Sequence, residues 1–99
     1  MAGKQKRLLE NKAEILKAMA HPVRLCIVRN LIEIGGCNVS SMQSCLLQPQ
    51  STISQHLSKL KAAGIISGKR KGTEITYTVI NDEAKNLANL LIPDASAAV

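Results

Sequence analysis

The stretch "PQSTISQHLSKLKAAG", residues 49–64, decides the fold because one side of it has the apolar spacing of a helix. At about 100° per residue, Ile53, Leu57 and Leu60 fall on one narrow stripe that must pack on a core. A proline at the start of the stretch and a glycine at its end suit the two ends of a helix. The sequence therefore predicts an amphipathic helix whose apolar side is buried.

The other side of this helix is rich in hydrogen-bonding groups and free of acids. The residues concerned are Gln50, Ser51, Thr52, Ser54, Gln55, Ser58 and Lys59. Any single serine or glutamine among them is compatible with an ordinary solvated surface. A solvated helix usually mixes Glu with Lys, however, so the missing acids favour contact with the base edges and phosphates of a nucleic acid.

The charge of the chain also favours a polyanionic partner. Its 99 residues contain 13 Lys and Arg against 7 Asp and Glu, a formal net charge of +6, and basic domains of this kind commonly bind nucleic acid. Tyr77 is the only Phe, Tyr or Trp, whereas single-strand and RNA binders stack bases on several aromatic side chains. We therefore expect double-stranded DNA as the partner.

The length of the chain predicts a single domain over residues 1–99. No apolar run approaches the roughly 20 residues of a membrane span, and the basic start is not followed by the apolar stretch of a signal peptide. Three cysteines, an odd number, indicate reduced thiols rather than a disulfide framework. We expect a cytoplasmic protein with no membrane partner.

Hydrophobic periodicity predicts five helices along the chain. They are expected over residues 4–19, from Pro22 to the Gly35-Gly36 pair, over residues 38–48 with Asn38 or Ser40 as the cap, over residues 49–64, and over residues 82–92. The stretch "IISGKRKGTEITYTVI", residues 65–80, changes to a period of two. It predicts a β-hairpin with a turn of Lys69, Arg70, Lys71 and Gly72.

This order predicts a mainly α fold with a small β-hairpin, the winged helix-turn-helix, in the sequence α1-α2-α3-α4-β1-β2-α5. In such a fold the second helix of the helix-turn-helix lies in the major groove of DNA. The polar side of the helix over residues 49–64 would then contact bases. The basic turn at Lys69, Arg70 and Lys71 would contact phosphates or the minor groove.

Three stretches resemble the ArsR/SmtB family, the arsenic-repressor-like transcriptional regulators, and within it the PagR-like subgroup. They are "LKAMAHPVRLCIV" (16–28), "QSTISQHLSKLKAAGII" (50–66) and "GTEITYTV" (72–79). The resemblance implies a homodimer formed through the first and last helices. It also implies repression of a promoter until an inducer releases the protein.

Apolar stripes on the terminal helices support a dimer independently, because so small a core offers them no partner. The residues expected at the dimer interface are Leu8, Leu9, Leu87, Leu90 and Leu91. Two recognition helices about 34 to 36 Å apart would meet successive major grooves of an inverted-repeat operator.

Metal sensing, a property of many members of the family, does not fit this sequence. The family's third-helix thiolate pattern falls on "NVSS" (38–41), which has no cysteine, and residues 80–99 contain no histidine. We expect no metal and no cofactor. His21 is expected to cap the second helix, and His56 to have a structural role at the edge of the apolar stripe.

The cysteines suggest a thiol, redox or persulfide response in place of metal sensing, with constitutive binding tuned only by protein level as the alternative. Cys26 is predicted to lie near Arg24 and Arg29, whose guanidinium groups would favour its thiolate. Cys37 follows two glycines and is expected on a mobile surface, where it would complete a switch with Cys26. Cys45 is expected to be a small core residue.

The leading prediction is thus a sequence-specific repressor of double-stranded DNA. The alternative is a winged-helix module that has lost DNA binding and contacts another protein through its helices. The acid-free helix and the basic hairpin disfavour that alternative. No paired carboxylates, nucleophile motif or phosphate-binding glycine loop indicates an enzyme.

Overall fold

The computed structural model describes residues 2–93, and within this range it contains five helices and one two-stranded sheet. In chain order the elements are α1 (Gly3–Met19), α2 (Pro22–Ile34), α3 (Val39–Leu46), α4 (Gln50–Ala62), β1 (Ile66–Lys71), β2 (Glu74–Val79) and α5 (Asp82–Leu91). The predicted winged helix-turn-helix order is confirmed. Of the predicted domain over residues 1–99, positions 1 and 94–99 lie outside the described residues.

Side-chain caps explain where three of the helices begin. His21 starts α2, Asn38 starts α3 and Asn81 starts α5, each accepting a hydrogen bond from an amide of the first turn, at 3.1, 2.9 and 2.8 Å respectively. Such caps satisfy amides that have no partner within the helix. Gly35 ends α2 in the left-handed conformation, with φ of 87°. The cap of α3 is therefore Asn38 and not Ser40.

The core forms where the apolar stripes of α2, α4 and α5 meet the start of the hairpin. Its fully buried members are Ala18, Met19, Ile27, Val28, Leu31, Met42, Ile53, Leu57, Leu60, Ile65, Ile66, Ala84 and Ala88. The predicted stripe of α4 is thus buried completely. Burying a Leu or Ile side chain contributes about 1.5–3 kcal/mol, so these three residues alone hold α4 firmly with its polar side outward.

The hairpin is antiparallel and runs in register from the pair Ile66 and Val79 to the pair Lys71 and Glu74. Only Gly72 and Thr73 remain for the turn, and Gly72 takes the left-handed φ of 66° that such a tight turn requires. The predicted turn of Lys69, Arg70, Lys71 and Gly72 is therefore wrong in its bounds. The three bases belong to β1, because the strand pairing continues up to Lys71.

A third segment pairs with the hairpin on its other edge. The amide of Cys37 donates to the carbonyl of Tyr77 at 3.2 Å, and the amide of Tyr77 donates to the carbonyl of Cys37 at 2.9 Å. This bridge ties the connection between α2 and α3 to β2. The hairpin is consequently fastened to the helix-turn-helix by backbone hydrogen bonds as well as by the core.

The turn between α3 and α4 depends on a strained leucine. Leu47 ends α3 with φ of 54° and ψ of 38°, and it is the only non-glycine residue with positive φ in the part of the chain that is described. Its side chain is 87% exposed, so it gains little from burial. Pro49 then precedes α4, which begins without a side-chain cap.

Replacing Leu47 by asparagine should stabilise the protein. Asparagine tolerates the left-handed conformation much better than leucine does, where the cost for an ordinary residue is about 1–2 kcal/mol. Relief of about half of that cost would raise Tm by a few degrees in a domain of this size. Leu47→Ala is the control, since alanine keeps the Cβ strain. Equal thermal unfolding midpoints for the two variants would contradict this account of the turn.

Candidate nucleic-acid interface

The outward side of α4 carries the polar residues that the sequence singled out. Gln50, Ser51, Ser54, Gln55, Ser58 and Lys59 are exposed, and Thr52 is half-buried. No acid occurs anywhere in Gln50–Ala62. Because Ile53, Leu57 and Leu60 are buried, this polar side has one orientation. The assignment of these seven residues to DNA contact stays a prediction, but they do share one accessible face apart from Thr52.

A polar groove of about 290 Å³ joins the start of α4 to the start of α3 and to the hairpin. Gln50 and Ser54 line it from α4, and Asn38 and Glu74 line it from the other two elements. The side-chain amide of Asn38 donates to Glu74 Oε1 at 3.4 Å. Sequence reasoning missed Asn38 and Glu74 as members of this surface. The position of Glu74 as the single acid between residues 37 and 80 was the available signal.

The wing, by which we mean β1 and β2, continues this surface with three exposed bases. Side chains alternate along a strand, so Lys69 and Lys71 project from one face of the wing and Arg70 from the other. Lys71 lies directly across from Glu74, and Arg70 lies across from Ile75. The three bases therefore do not form the turn, as predicted, but lie along β1, with the two lysines on one face and the arginine on the other.

The inner edge of α4 is tied to α2 by polar side chains. His56 Nδ1 lies 3.3 Å from Arg24 Nη1, and its ring centroid is 4.5 Å from that of His21. Partial burial lowers the pKa of His56, and the nearby charges of His21, Arg24 and Lys59 lower it further. The capping role predicted for His21 and the structural position predicted for His56 both hold.

The terminal helices expose the leucines that were predicted to form a dimer interface. Leu8, Leu9, Leu90 and Leu91 are between 50% and 76% exposed. Leu87 differs, because it packs partly against the core and lines a shallow groove between α1 and α5. An ion pair of Lys12 and Glu83 also joins these two helices. The exposed leucine of α1 that the sequence analysis did not assign is Leu16.

The environment of Cys26 contradicts the prediction that nearby arginines favour its thiolate. Arg24 donates its Nε to the carbonyl of Ala18 at 2.6 Å, and Arg29 donates its Nε to the carbonyl of Ile92 at 3.0 Å. Both guanidinium groups are thus engaged away from the thiol. Burial raises the pKa of Cys26, although a contact from the Asn30 amide at 3.7 Å acts in the opposite direction. The predicted activation of this thiol by arginine is wrong.

The other two cysteines also differ from expectation. Cys37 is held by its backbone bridge to Tyr77 and is not on a mobile surface, and burial raises the pKa of its thiol. Cys45 is exposed rather than a core residue. The helix α3 turns Met42 inward as its buried residue and Leu46, one turn later, packs partly against the core, whereas Cys45, at the edge of that side, remains exposed.

Residues 2–93 contain no group of three or more His, Cys, Asp or Glu side chains placed to hold a metal ion. Within the same range, no helix combines the length and the apolar character needed to cross a membrane.

The fold, the acid-free outward side of α4 and the basic wing define a winged helix-turn-helix transcriptional regulator. A family model described as a helix-turn-helix domain matches residues 19–68. The transcriptional repressor PagR of Bacillus anthracis is 42% identical over 85 residues, which cover 86% of this chain and 85% of PagR. The crystal structure of PagR superposes with a TM-score of 0.81 and 41% identity, covering 87% of this chain and 98% of that one. The chain belongs to the ArsR/SmtB family, in its PagR-like subgroup.

Two further relatives agree with this assignment. The transcriptional repressor SmtB of Mycobacterium tuberculosis is 43% identical over 72 residues, which cover 73% of this chain and 53% of SmtB. A homodimeric winged helix-turn-helix DNA-binding domain of a possible ArsR-family regulator from Mycobacterium bovis has a TM-score of 0.83 at 26% identity, covering 92% of this chain and 83% of that one. The family consists of DNA-binding regulators, not enzymes.

We expect Gln55 to read a base. A glutamine in the major groove bonds adenine bidentately, which contributes about 1–3 kcal/mol of discrimination. Gln55→Ala should therefore lose affinity for its preferred duplex while affinity for random duplex stays nearly unchanged. Lys61→Ala, on the same helix but outside the predicted contact set, is the control. If Gln55→Ala weakens both duplexes equally in a gel-shift titration, Gln55 does not read bases.

The two lysines on one face of the wing should contact phosphates. Each lost phosphate contact reduces the slope of log affinity against log salt concentration by about 0.9. Neutralising both Lys69 and Lys71 to glutamine should thus flatten the slope by nearly two units for every sequence tested. Arg70→Gln reports on the opposite face of the wing, and Lys85→Gln on α5 is the control for a lost charge elsewhere. A slope equal to that of the unmodified protein would exclude Lys69 and Lys71 from the interface.

Proposed function

We propose that this chain is a repressor that binds an inverted-repeat operator as a homodimer, with α4 in the major groove of each half-site. The observation that carries the proposal is the acid-free outward side of α4, which is continuous with the polar groove and the basic wing. The residues proposed to contact bases and phosphates are Gln50, Ser51, Thr52, Ser54, Gln55, Ser58, Lys59, Lys69, Arg70 and Lys71. A DNA partner implies action in the cytoplasm.

The proposed dimer uses the leucines that α1 and α5 expose. Leu8, Leu9, Leu90 and Leu91 are too large to leave in water without a reason, and they lie on the two terminal helices. Leu87 would support α5 from behind, since it packs partly against the core and lines the groove between α1 and α5. The homodimeric relative from Mycobacterium bovis supports the same arrangement. Two copies would present two α4 helices on one side, as an inverted repeat requires.

We further propose that operator binding needs neither a metal ion nor a particular oxidation state of the thiols. The sequence lacks the family's third-helix cysteines, and the raised pKa values of Cys26 and Cys37 keep both thiols protonated and slow to react. The earlier prediction of a switch through Cys26 and Cys37 therefore loses its physical support.

Selection from random duplexes tests the function directly. We expect the purified chain to enrich inverted repeats whose half-site centres are about 10–10.5 base pairs apart, or a multiple of this spacing. Leu90→Glu should dissociate the dimer and abolish enrichment of the paired half-sites. Asn89→Glu places the same charge on the neighbouring exposed position and should leave the dimer and the enrichment of paired half-sites intact. The measurements are sequencing of the bound fraction and light-scattering mass.

Four outcomes contradict parts of this proposal. If no sequence is enriched, the chain is not a sequence-specific DNA-binding protein, and the alternative of a protein-interaction module gains support. If Leu90→Glu remains dimeric, α5 is not the dimer helix. If a chelator changes the affinity of the wild type for the operator, binding depends on a metal ion. If peroxide changes the affinity of the wild type but not that of a Cys26→Ser, Cys37→Ser variant, binding is under thiol control.

A further inference from the structure

Three side chains form a joint between the recognition helix α4 and the corner where α1 meets α2. This histidine joint consists of His21, Arg24 and His56. Arg24 spans it, because its Nε donates to the carbonyl of Ala18 in the last turn of α1 at 2.6 Å while its Nη1 lies 3.3 Å from His56 Nδ1 on α4. His56 directly follows Gln55, which is predicted to read a base. The joint therefore sits immediately behind the DNA-contacting side of α4.

The hydrogen bonds of the joint define the protonation state of both imidazoles. His21 Nδ1 accepts from the amide of Val23 at 3.1 Å. A guanidinium group can only donate, so His56 Nδ1 must accept from Arg24. An imidazole nitrogen that accepts carries no proton, and each ring therefore holds its single proton on Nε2. The contact with Arg24 therefore requires His56 to be neutral.

Protonation of His56 removes its hydrogen bond with Arg24 and adds a repulsion. A proton on His56 Nδ1 would point at the Arg24 guanidinium. The two ring centroids are only 4.5 Å apart, so a charged His56 would also lie directly beside the His21 ring.

The surrounding charges act in the same direction. The groove beside Arg24 is lined by Glu14 and Lys17 from α1 and by Lys59 from α4, which leaves cations in excess. Among the elements packed on α4, α3 contains no Lys, Arg, His, Asp or Glu. The charged residues of β1 begin only at Lys69, toward the far end of the strand from the core. Both histidines of the chain are in this joint, so the chain has no imidazole outside it.

We propose that His21, Arg24 and His56 are positioning residues that hold α4 in the orientation needed for sequence-specific DNA contact, and that acidification opens this joint. The proposal rests on the function proposed above. It predicts the loss of preference for one sequence, rather than the loss of binding. Acidification also adds positive charge, which favours contact with any polyanion. Opening of the joint should therefore weaken binding to the preferred sequence, whereas the added charge should strengthen binding to all sequences.

The pH range in which the joint weakens follows from the linkage between proton binding to His56 and folding. The pKa of His56 in the folded chain is lower than its ordinary value of 6.5. Above pH 6.5 the ring is neutral in both the folded and the unfolded chain, and the full stability is present. As pH falls below 6.5 the unfolded chain binds the proton first, so the free energy of unfolding decreases until pH reaches the lower folded value. The joint is therefore weakest in mildly acidic solution.

The test compares the affinity for a duplex selected from random sequences at about pH 7.5 with the affinity for a scrambled duplex, and repeats the comparison at about pH 5.5. Because pH 5.5 is about one unit below the ordinary histidine pKa of 6.5, titration of His56 can shift the joint by at most about tenfold, and we expect the preference of the wild type to fall severalfold within that limit at the lower pH. Affinity for the scrambled duplex should stay the same or rise. A preference that does not change with pH would overturn the proposal.

Two substitutions remove the titration while keeping the hydrogen bonds. Asparagine is a strong helix cap that does not titrate, and the glutamine carbonyl can accept from Arg24. The His21→Asn, His56→Gln double variant should keep its sequence preference at both pH values. Between the two pH values, its thermal unfolding midpoint should also change less than that of the wild type. If the double variant folds poorly, His56→Gln alone should lose most of the pH dependence. A double variant whose preference falls as steeply as that of the wild type overturns the proposal.

A third variant separates the joint from a general charge effect. Asn89→His, made in the double-variant background, introduces one titrating ring on the exposed side of α5. It should not restore the pH dependence, and restoration would overturn the proposal. The failures are distinguishable. Absence of any enriched sequence at about pH 7.5 overturns the proposed function and the joint together, whereas enrichment with a pH-independent preference overturns the joint alone.

Discussion

The burial of Ile53, Leu57 and Leu60 under α2 and the hairpin is the constraint on which the rest of the structure depends. A helix with a single apolar stripe can be packed in only one rotational setting. That setting places most polar residues of α4 outward, leaves Thr52 half-buried and keeps His56 at the inner edge, beside Arg24. The same core residues receive Ile65 and Ile66, so the first residues of the hairpin are positioned by the packing that orients α4. The packing of the core thus determines which side of α4 forms the recognition surface.

Most of the helical architecture could be predicted because the sequence signals of a helix are local. The stripe of α4, the glycine after α2 and the caps at His21 and Asn38 are all short-range features. The family relation, carried by stretches around Arg24, Gln55 and Tyr77, was visible for the same reason. These features require no knowledge of which elements meet in space.

The errors arose where position depends on distant partners. The bounds of the turn were wrong because strand pairing extended to Lys71, and a run of bases followed by glycine does not reveal how far a ladder continues. The thiol of Cys26 was misjudged because a helical wheel shows that Arg24 and Arg29 are near in angle. It does not show that the carbonyls of Ala18 and Ile92 engage their guanidinium groups. The bridge from Cys37 to Tyr77 likewise joins residues 40 positions apart.

That bridge has a mechanical consequence. A hairpin held along one edge by backbone hydrogen bonds and at its base by the core moves little relative to α3 and α4. If it enters a groove next to the one occupied by α4, the duplex must supply the adjustment that brings the two grooves into step. Pyrimidine–purine steps deform easily and A-tracts resist deformation. The base pairs between the contacts of α4 and of the wing would then influence affinity through their stiffness, although no side chain touches them.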